Sequence, residues 1–245
     1  MRKFGLIGFP LSHSFSGKYF SQKFLNEGIA DAEYRLYPID HIDQFPDLIK
    51  GLGVEFVGMN VTIPYKQKVI RYLDYLSPEA EQIQAVNTIF NDGGVLKGFN
   101  TDIPGFEQSL IHFIDGQAIS ALVLGDGGAS KAVQYVLDKL HIDFKTVSRK
   151  FKPGMITYDD IDQRLLERTR LIINTTPLGM APLQSEYPLI DYNALSDQHY
   201  LVDLIYNPSK TLFLLKGEAK GCKILNGLDM LYRQAEASWK IWNRL

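Results

Sequence analysis

Short apolar, β-prone runs alternate with helical patterns along most of this chain, and that alternation leaves few architectures open. FGLIG (4–8) precedes a helical pattern from about Ser16 to Glu27. EYRLYPI (33–39) precedes a helical IDQFPDLIKGL, and FVGMNVTI (56–63) precedes KQKVIRYL. Such a series predicts βαβ units and a parallel sheet, because parallel neighbours need a crossover long enough to hold a helix. AVNTIFNDGGVLKGFN (85–100) breaks the pattern: two alternating runs meet at Asn91-Asp92-Gly93-Gly94, which predicts a hairpin. The alternation then restarts with ALVLG (121–125), a helix to about Leu140, FKTVS (144–148), LIINTT (171–176), YLVDLIY (200–206) and KILNG (223–227). The chain closes on MLYRQAEASWKIW, whose apolar residues recur at helical spacing. Two α/β domains are expected, the second beginning near Thr101–Gly105.

Charge narrows the partner. The 245 residues carry 26 basic and 28 acidic side chains, a net charge of −2. Such a balance supplies no long-range field to draw in nucleic acid or an anionic membrane, so a small molecule is the expected ligand. Cys222 is the single cysteine, which rules out an intrachain disulfide or a thiolate metal cluster and suits the cytoplasm. Five histidines, at 13, 41, 112, 141 and 199, show no close-spaced ligand pair, so no metal is expected. The opening MRKFGLIGFPLSHS has the basic-then-apolar order of a signal peptide. Gly5, Gly8 and Pro10 interrupt it, and it is read as a first strand. No stretch approaches the ~18 apolar residues of a membrane span.

ALVLGDGGASKAVQYVL is a buried strand, a glycine-rich turn and a helix. Gly125 and Gly127 fit the first two positions of a dinucleotide fingerprint, with Gly128 and Ala129 completing the turn and small Ser130 in the third position. Glycine there permits a tight turn and lets backbone N–H groups approach a pyrophosphate at a helix N-terminus. An ordinary βα turn is the plainer alternative. Asp126 also lies in this turn, where a carboxylate repels pyrophosphate unless it points away. The following strand ends in KTVSRK, with no acid to take an adenine-ribose 2′-hydroxyl. Arg149 offers a guanidinium fork to a 2′-phosphate, with Lys150 or Lys152 adding charge, so NADP is expected over NAD. The competing interpretation is a solvated basic loop.

The first half carries polar residues where strands end. Ser12, His13, Ser14 and Ser16 fill the turn after the first strand. Asn60 and Thr62 fall on FVGMNVTI and Lys66 just beyond; Asn87 lies in AVNT, Asn100 and Asp102 in GFNTD. Ligands of open α/β sheets collect at the carboxyl ends of strands, and this set suits a polyhydroxylated, anionic small molecule. Each also has a structural explanation: Ser14 or Ser16 capping a helix, Asn87 and Asn100 satisfying hairpin backbone, Asp102 an N-cap. Lys66 is either a solubilising charge at a strand tip or a proton-handling group at the mouth of a site.

Taken in order, these segments resemble the shikimate dehydrogenase family nearly end to end. GFPLSHSFS is similar to its shikimate-binding turn, GMNVTIPYK to its catalytic-lysine segment, AVNT and GFNTDIPG to its next signatures, and GDGGAS to its NADP loop. NTTPLGM, VDLIYNP and NGLDMLYRQA are similar to its later ones. The resemblance implies reversible, NADPH-dependent reduction of 3-dehydroshikimate to shikimate, with Lys66 as acid/base paired with Asp102. It implies shikimate contacts from Ser14, Ser16, Thr62, Asn87, Tyr206 and Gln234. NADP contacts are implied for Gly125, Gly127, Gly128, Ala129, Ser148, Arg149, Lys150, Thr175, Met180 and Gly227, with Gly179 also near the ring. The substrate domain would comprise 1–101 plus 226–245 and the NADP-binding, Rossmann-like domain 102–225, in a monomer or homodimer. The chain departs from the family pattern at Gly17, at Ser148 and Lys150 around Arg149, and at Asp229 in place of a frequent glycine. The alternatives are a broader quinate/shikimate dehydrogenase and a catalytically silent NADP-binding module; the latter would be expected to lack Lys66 or Asp102, and both are present.

Overall fold

The computed structural model describes residues 1–11, 14–116 and 120–244. The chain divides into two compact α/β units, Met1–Thr101 with the segment from Ala235 onward, and Asp102–Gln234.

The first unit begins with β1 (Arg2–Gly8), α1 (Phe15–Asn26), β2 (Ala32–Pro38), α2 (Phe45–Leu52) and β3 (Phe56–Val61). It continues through β4 (Tyr75–Leu76), α3 (Pro78–Ile83), β5 (Thr88–Asp92) and β6 (Val95–Phe99). The strands form one mostly parallel sheet in the order β2-β1-β3-β5-β6-β4. β1 lies between parallel β2 and β3, which explains its unbroken apolar reading. The β5–β6 hairpin adds antiparallel to β3, its strands joined at Gly93-Gly94, both with positive φ, as a two-residue turn requires. Segment KQKVIRYL, expected as a helix, is instead a short 3₁₀ turn over Lys68–Tyr72. It holds too few apolar positions for a second helical turn to bury anything.

Side chains alternate across β1. Ile7 joins Phe45, Met59, Val61 and Ile89 on the α2 side. Phe4 and Leu6 join Phe20, Phe24, Trp239 and Trp242 on the other side. The tryptophans come from α8 (defined below), whose C-terminal part belongs to this unit. Trp242 donates Nε1–H to the Ile89 carbonyl at 2.9 Å and lies over Gly58, where any Cβ would strike the indole.

The second unit holds α4 (Asp102–Ile114), β7 (Ala121–Leu124), α5 (Gly128–Lys139), β8 (Phe144–Ser148), β9 (Ile156–Thr157) and α6 (Gln163–Arg168). It continues with β10 (Leu171–Asn174), β11 (Tyr200–Asp203), α7 (Leu212–Glu218), β12 (Lys223–Leu225) and the start of α8 (Leu228–Trp242). Its sheet is parallel throughout, in the order β12-β11-β10-β7-β8-β9. Central strands β7, β10 and β11 are buried along their whole length. From β7 the chain runs outward one way to β8 and β9, and from β10 the other way to β11 and β12. The strand order therefore reverses between β7 and β10, the place where an open parallel sheet leaves a crevice for a ligand. Gly105 on α4 lets α8 come close: its Cβ would sit 2.9 Å from the Met230 carbonyl.

Candidate active site

In the first unit the ends of β1 and β3 are stitched together. Thr62 N–H donates to the Ile7 carbonyl at 2.9 Å, and Phe9 N–H to the Ile63 carbonyl at 3.1 Å. This sets the turn after β1 beside the segment leading to Lys66. Ser14 occupies the N-cap position of α1, but its hydroxyl makes no capping bond. Ser16, in the first turn of α1, is half-buried and lies near the buried Tyr34 phenol. Ser12 and His13 lie outside the described residues.

Lys66 is half-buried, and both sides of its backbone are anchored. Tyr65 is buried and donates its hydroxyl to the Ile39 carbonyl at 2.5 Å, while the Lys66 carbonyl accepts Val86 N–H at 2.8 Å. That second bond ties the lysine to the AVNT segment. There the Asn87 Oδ1 accepts from Thr101 N–H at 2.7 Å and from the Thr88 and Thr101 hydroxyls at 3.1 Å each. A backbone N–H can only donate, so it fixes which end of the amide is oxygen; Nδ2 must face the other way as a donor.

The cluster extends across three strand ends. Asn60 Nδ2 donates to the Ser238 hydroxyl at 2.9 Å and to Thr88 at 3.2 Å, and its Oδ1 accepts from Tyr34 at 2.8 Å. Ser238, on α8, is fully enclosed and lies 2.8 Å from the Thr88 hydroxyl and 3.1 Å from that of Thr101. Asn100 donates Nδ2 to the Ala85 carbonyl at 3.0 Å. Asp102 follows Thr101 directly and opens α4, half-buried, in the position where a carboxylate meets the positive end of the helix dipole. The Asn87 and Asn100 side chains thus do satisfy backbone.

In the second unit, Gly125 and Thr175 end the adjacent strands β7 and β10. Gly125 has φ +110°, and a Cβ there would lie 2.7 Å from Thr175 Oγ1, which donates to the Leu124 carbonyl at 2.8 Å. Thr175 therefore shapes the crevice with its hydroxyl turned to the strand. Ser130 is spent likewise, donating to the Gly125 carbonyl at 2.7 Å. Gly127 caps α5 with no side-chain bond, and a Cβ on Gly127 or Gly128 would meet nothing within 4 Å. Ala129 follows in the first turn of that helix. Open space over helix-end N–H groups is what a pyrophosphate needs, so the turn fits the dinucleotide.

Arg149 and Lys150 are exposed beyond β8, while Ser148 is buried and donates its hydroxyl to the Lys150 carbonyl. Ser148 shapes the turn that presents Arg149. Asp126, the acid in the glycine turn, pairs with Lys152, which removes the repulsion that its position would otherwise create. Asp229 pairs with Arg233 one turn along α8 at 2.6 Å. Gln234 is also on α8, its Nε2 donating to the Leu231 carbonyl at 3.0 Å.

The segments after β10 and β11 share a buried polar network that the motifs did not reveal. Asp203 accepts from Thr211 Oγ1 at 2.6 Å, Ile205 N–H at 3.0 Å and Asn174 Nδ2 at 3.1 Å. Asn174 Oδ1 in turn accepts from the Thr176 hydroxyl at 2.6 Å and its N–H at 3.0 Å. Burial, opposed by these donors, pushes the Asp203 carboxyl up to about 6. Gly179 (φ +108°) packs on Thr211, Met180 beside it is 42% exposed, and burial raises the half-buried Tyr206 phenol above its usual range. Gly227 N–H donates to the Ile205 carbonyl at 3.0 Å, and no Cβ could fit at Gly227 against the Leu204 carbonyl. An acid inside the apolar run YLVDLIY, and a serine inside the apolar stripe of α8, were the available signals for Asp203 and Ser238.

Comparison with known proteins accords with this geometry. The shikimate dehydrogenase substrate binding domain matches residues 6–89. Over 252 residues the chain is 39% identical to the shikimate dehydrogenase (NADP⁺) of Clostridium beijerinckii, covering 99% of this chain and 92% of that protein. The chain belongs to the shikimate dehydrogenase family. The family's NADP⁺ enzyme from Halothermothrix orenii is 38% identical, covering 97% of this chain and 89% of that protein. A family member of solved structure, shikimate 5-dehydrogenase from Thermus thermophilus in complex with NADP(H) and shikimate, matches with a TM-score of 0.87. Its identity is 30%, and the match covers 100% of this chain and 94% of that one.

Proposed function

We propose that this member of the family catalyses the reversible, NADPH-dependent reduction of 3-dehydroshikimate to shikimate, with Lys66 as the acid/base and Asp102 as its partner. Residues 1–101 with 226–245 hold the substrate, and 102–225 hold the dinucleotide. The observation that carries this reading is the set of strand ends in the first unit. There Lys66, the oriented Asn87 amide, and Thr101 leading into Asp102 are fixed by backbone bonds to one another's segments.

When bound, NADPH supplies the hydride that reduces the substrate carbonyl. The oxygen left behind becomes strongly basic, and Lys66 delivers the proton it needs; in the oxidation direction its amine takes the hydroxyl proton back. Asp102 holds the ammonium and the reacting hydroxyl in line. Ser14 and Ser16 donate to the substrate carboxylate, a charge-assisted contact. Thr62, Asn87, Tyr206 and Gln234 hydrogen-bond its remaining polar groups. For the dinucleotide, Gly125, Gly127, Gly128 and Ala129 form the pyrophosphate turn, with Arg149 and Lys150 on the 2′-phosphate beside Ser148. Thr175, Met180 and Gly227 border the nicotinamide end.

Among the described residues no helix is long and apolar enough to cross a membrane. We infer a monomer or homodimer acting on small molecules, placed in the cytoplasm, the reducing compartment that a single cysteine suits. Purified protein should reduce NADP⁺ in the presence of shikimate and far less with quinate or NAD⁺. Comparable rates with quinate would replace the reading with a broader dehydrogenase. Binding of NADP⁺ without turnover of either substrate would make the chain a silent dinucleotide-binding module.

A further inference from the structure

Asp203 has no part in the proton and hydride chemistry, yet it is fully enclosed and sits at the end of a central strand. An acid is a poor choice for such a place unless its oxygens are needed, because removing a carboxylate from water is costly. Its oxygens serve donors from separate segments. Asn174 Nδ2 belongs to the end of β10, Ile205 N–H to the segment after β11, and the Thr211 hydroxyl to the cap of α7. Through Asn174 the network reaches Thr176 and, by the Asn174 Nδ2 bond to the Leu178 carbonyl at 3.2 Å, the loop that ends at Met180. Through Ile205 it reaches Gly227, whose N–H bonds the Ile205 carbonyl. Thr211, held at one carboxylate oxygen, is also the residue on which Gly179 packs.

We propose that Asp203 is a positioning residue for hydride transfer, holding the segments that carry Met180, Tyr206 and Gly227 in register through one shared carboxylate. The proposal rests on the reading that these segments border the nicotinamide. Hydride transfer tolerates little error in the approach of donor and acceptor, so an ångström of slack among these segments slows the chemical step far more than it weakens shikimate capture, to which Ser14, Ser16, Thr62 and Asn87 contribute from the first unit.

Variants of the full chain test this by steady-state kinetics, with the isotope effect on shikimate deuterated at the reacting carbon as a second readout. Asp203→Ala should lower kcat by roughly 10²-fold and enlarge the isotope effect, with a much smaller rise in the KM for shikimate through the contact of Tyr206. Asp203→Asn keeps one oxygen for Ile205 and Asn174 and offers Thr211 an N–H to accept, so it should restore most of the rate. A folded Asp203→Ala with wild-type kcat and isotope effect, whatever its melting temperature, overturns the proposal. Should that variant fail to fold, Thr211→Val against Thr211→Ser decides the matter: the valine should lose kcat and the serine keep it, and equal rates overturn the proposal. Failure of the underlying reading looks different, since the unmodified protein would then not reduce NADP⁺ with shikimate at all, and the proposal falls with it.

Discussion

Thr101 N–H donates to Asn87 Oδ1 at 2.7 Å, and that one bond sets the polarity of the amide. The contact is backbone to side chain, it is buried, and the hydroxyls of Thr88 and Thr101 reinforce it on the same oxygen. Asn87 can therefore offer a ligand only N–H. Asn87→Asp keeps the acceptor that Thr101 needs and turns the donor into a second acceptor. Its KM for shikimate should rise on the order of tenfold, from a lost hydrogen bond together with lone-pair repulsion, while NADP⁺ affinity holds. Unchanged KM for shikimate would remove Asn87 from the substrate site.

Ser14 makes no capping bond, so its hydroxyl contributes little to α1. Ser14→Ala should leave the melting temperature near wild type and raise the KM for shikimate, as expected for loss of a charged hydrogen bond of about 1.5–3 kcal/mol. The opposite pattern, a lower melting temperature with KM unchanged, would return Ser14 to the capping role.

Arg149 is exposed at the end of β8, on a turn shaped by the Ser148 hydroxyl. Arg149→Ala should weaken NADP⁺ binding and barely affect NAD⁺, narrowing the preference between them. Equal losses for both, measured by titration, would show that the guanidinium does not meet the 2′-phosphate.

The Asp203 carboxyl makes the folded state bind a proton more tightly than the unfolded chain does, with a folded value of about 6 against a usual value of 3.8. Its stabilising contribution is full below pH ~4 and is lost as pH rises through ~6, a swing on the order of 3 kcal/mol. Tyr192 is the titratable neighbour that feels this charge; burial raises its phenol, so it stays neutral across that window. The remaining contacts are the neutral groups of Asn174, Thr211 and Ile205. Melting curves of the unmodified protein and of Asp203→Asn should diverge between pH ~4 and ~7, the variant gaining relative stability as pH rises. Parallel curves would mean that Asp203 titrates at an ordinary value.

Much of this architecture could be read from local pattern. FKTVS forms β8 residue for residue, and the Gly93-Gly94 turn joins β5 to β6, because turn chemistry and buried strands are encoded within a few neighbours. The short elements β4, β9, α3 and α6 were missed, as two to six residues carry too little periodicity to register. The pairing of Asp126 with Lys152, and the convergence of Asn60, Thr88 and Thr101 on Ser238, depend on partners far away in sequence. No local signal says where Asp126 points. Asp203 was visible as an anomaly, but the donors that explain it come from other segments.

The central claim is that the lysine beyond β3 moves the proton. The Val86 bond to its carbonyl and the burial of Tyr65 fix its backbone independently of the side chain, so Lys66→Ala should fold. Measured at saturating NADPH and 3-dehydroshikimate, that variant should lose about 10²–10⁴-fold in kcat, the range for a missing acid–base group, and bind NADPH as the unmodified protein does. A kcat close to that of the unmodified protein would contradict the account. A rise in KM alone would make Lys66 a binding residue and leave the proton to Asp102 or water.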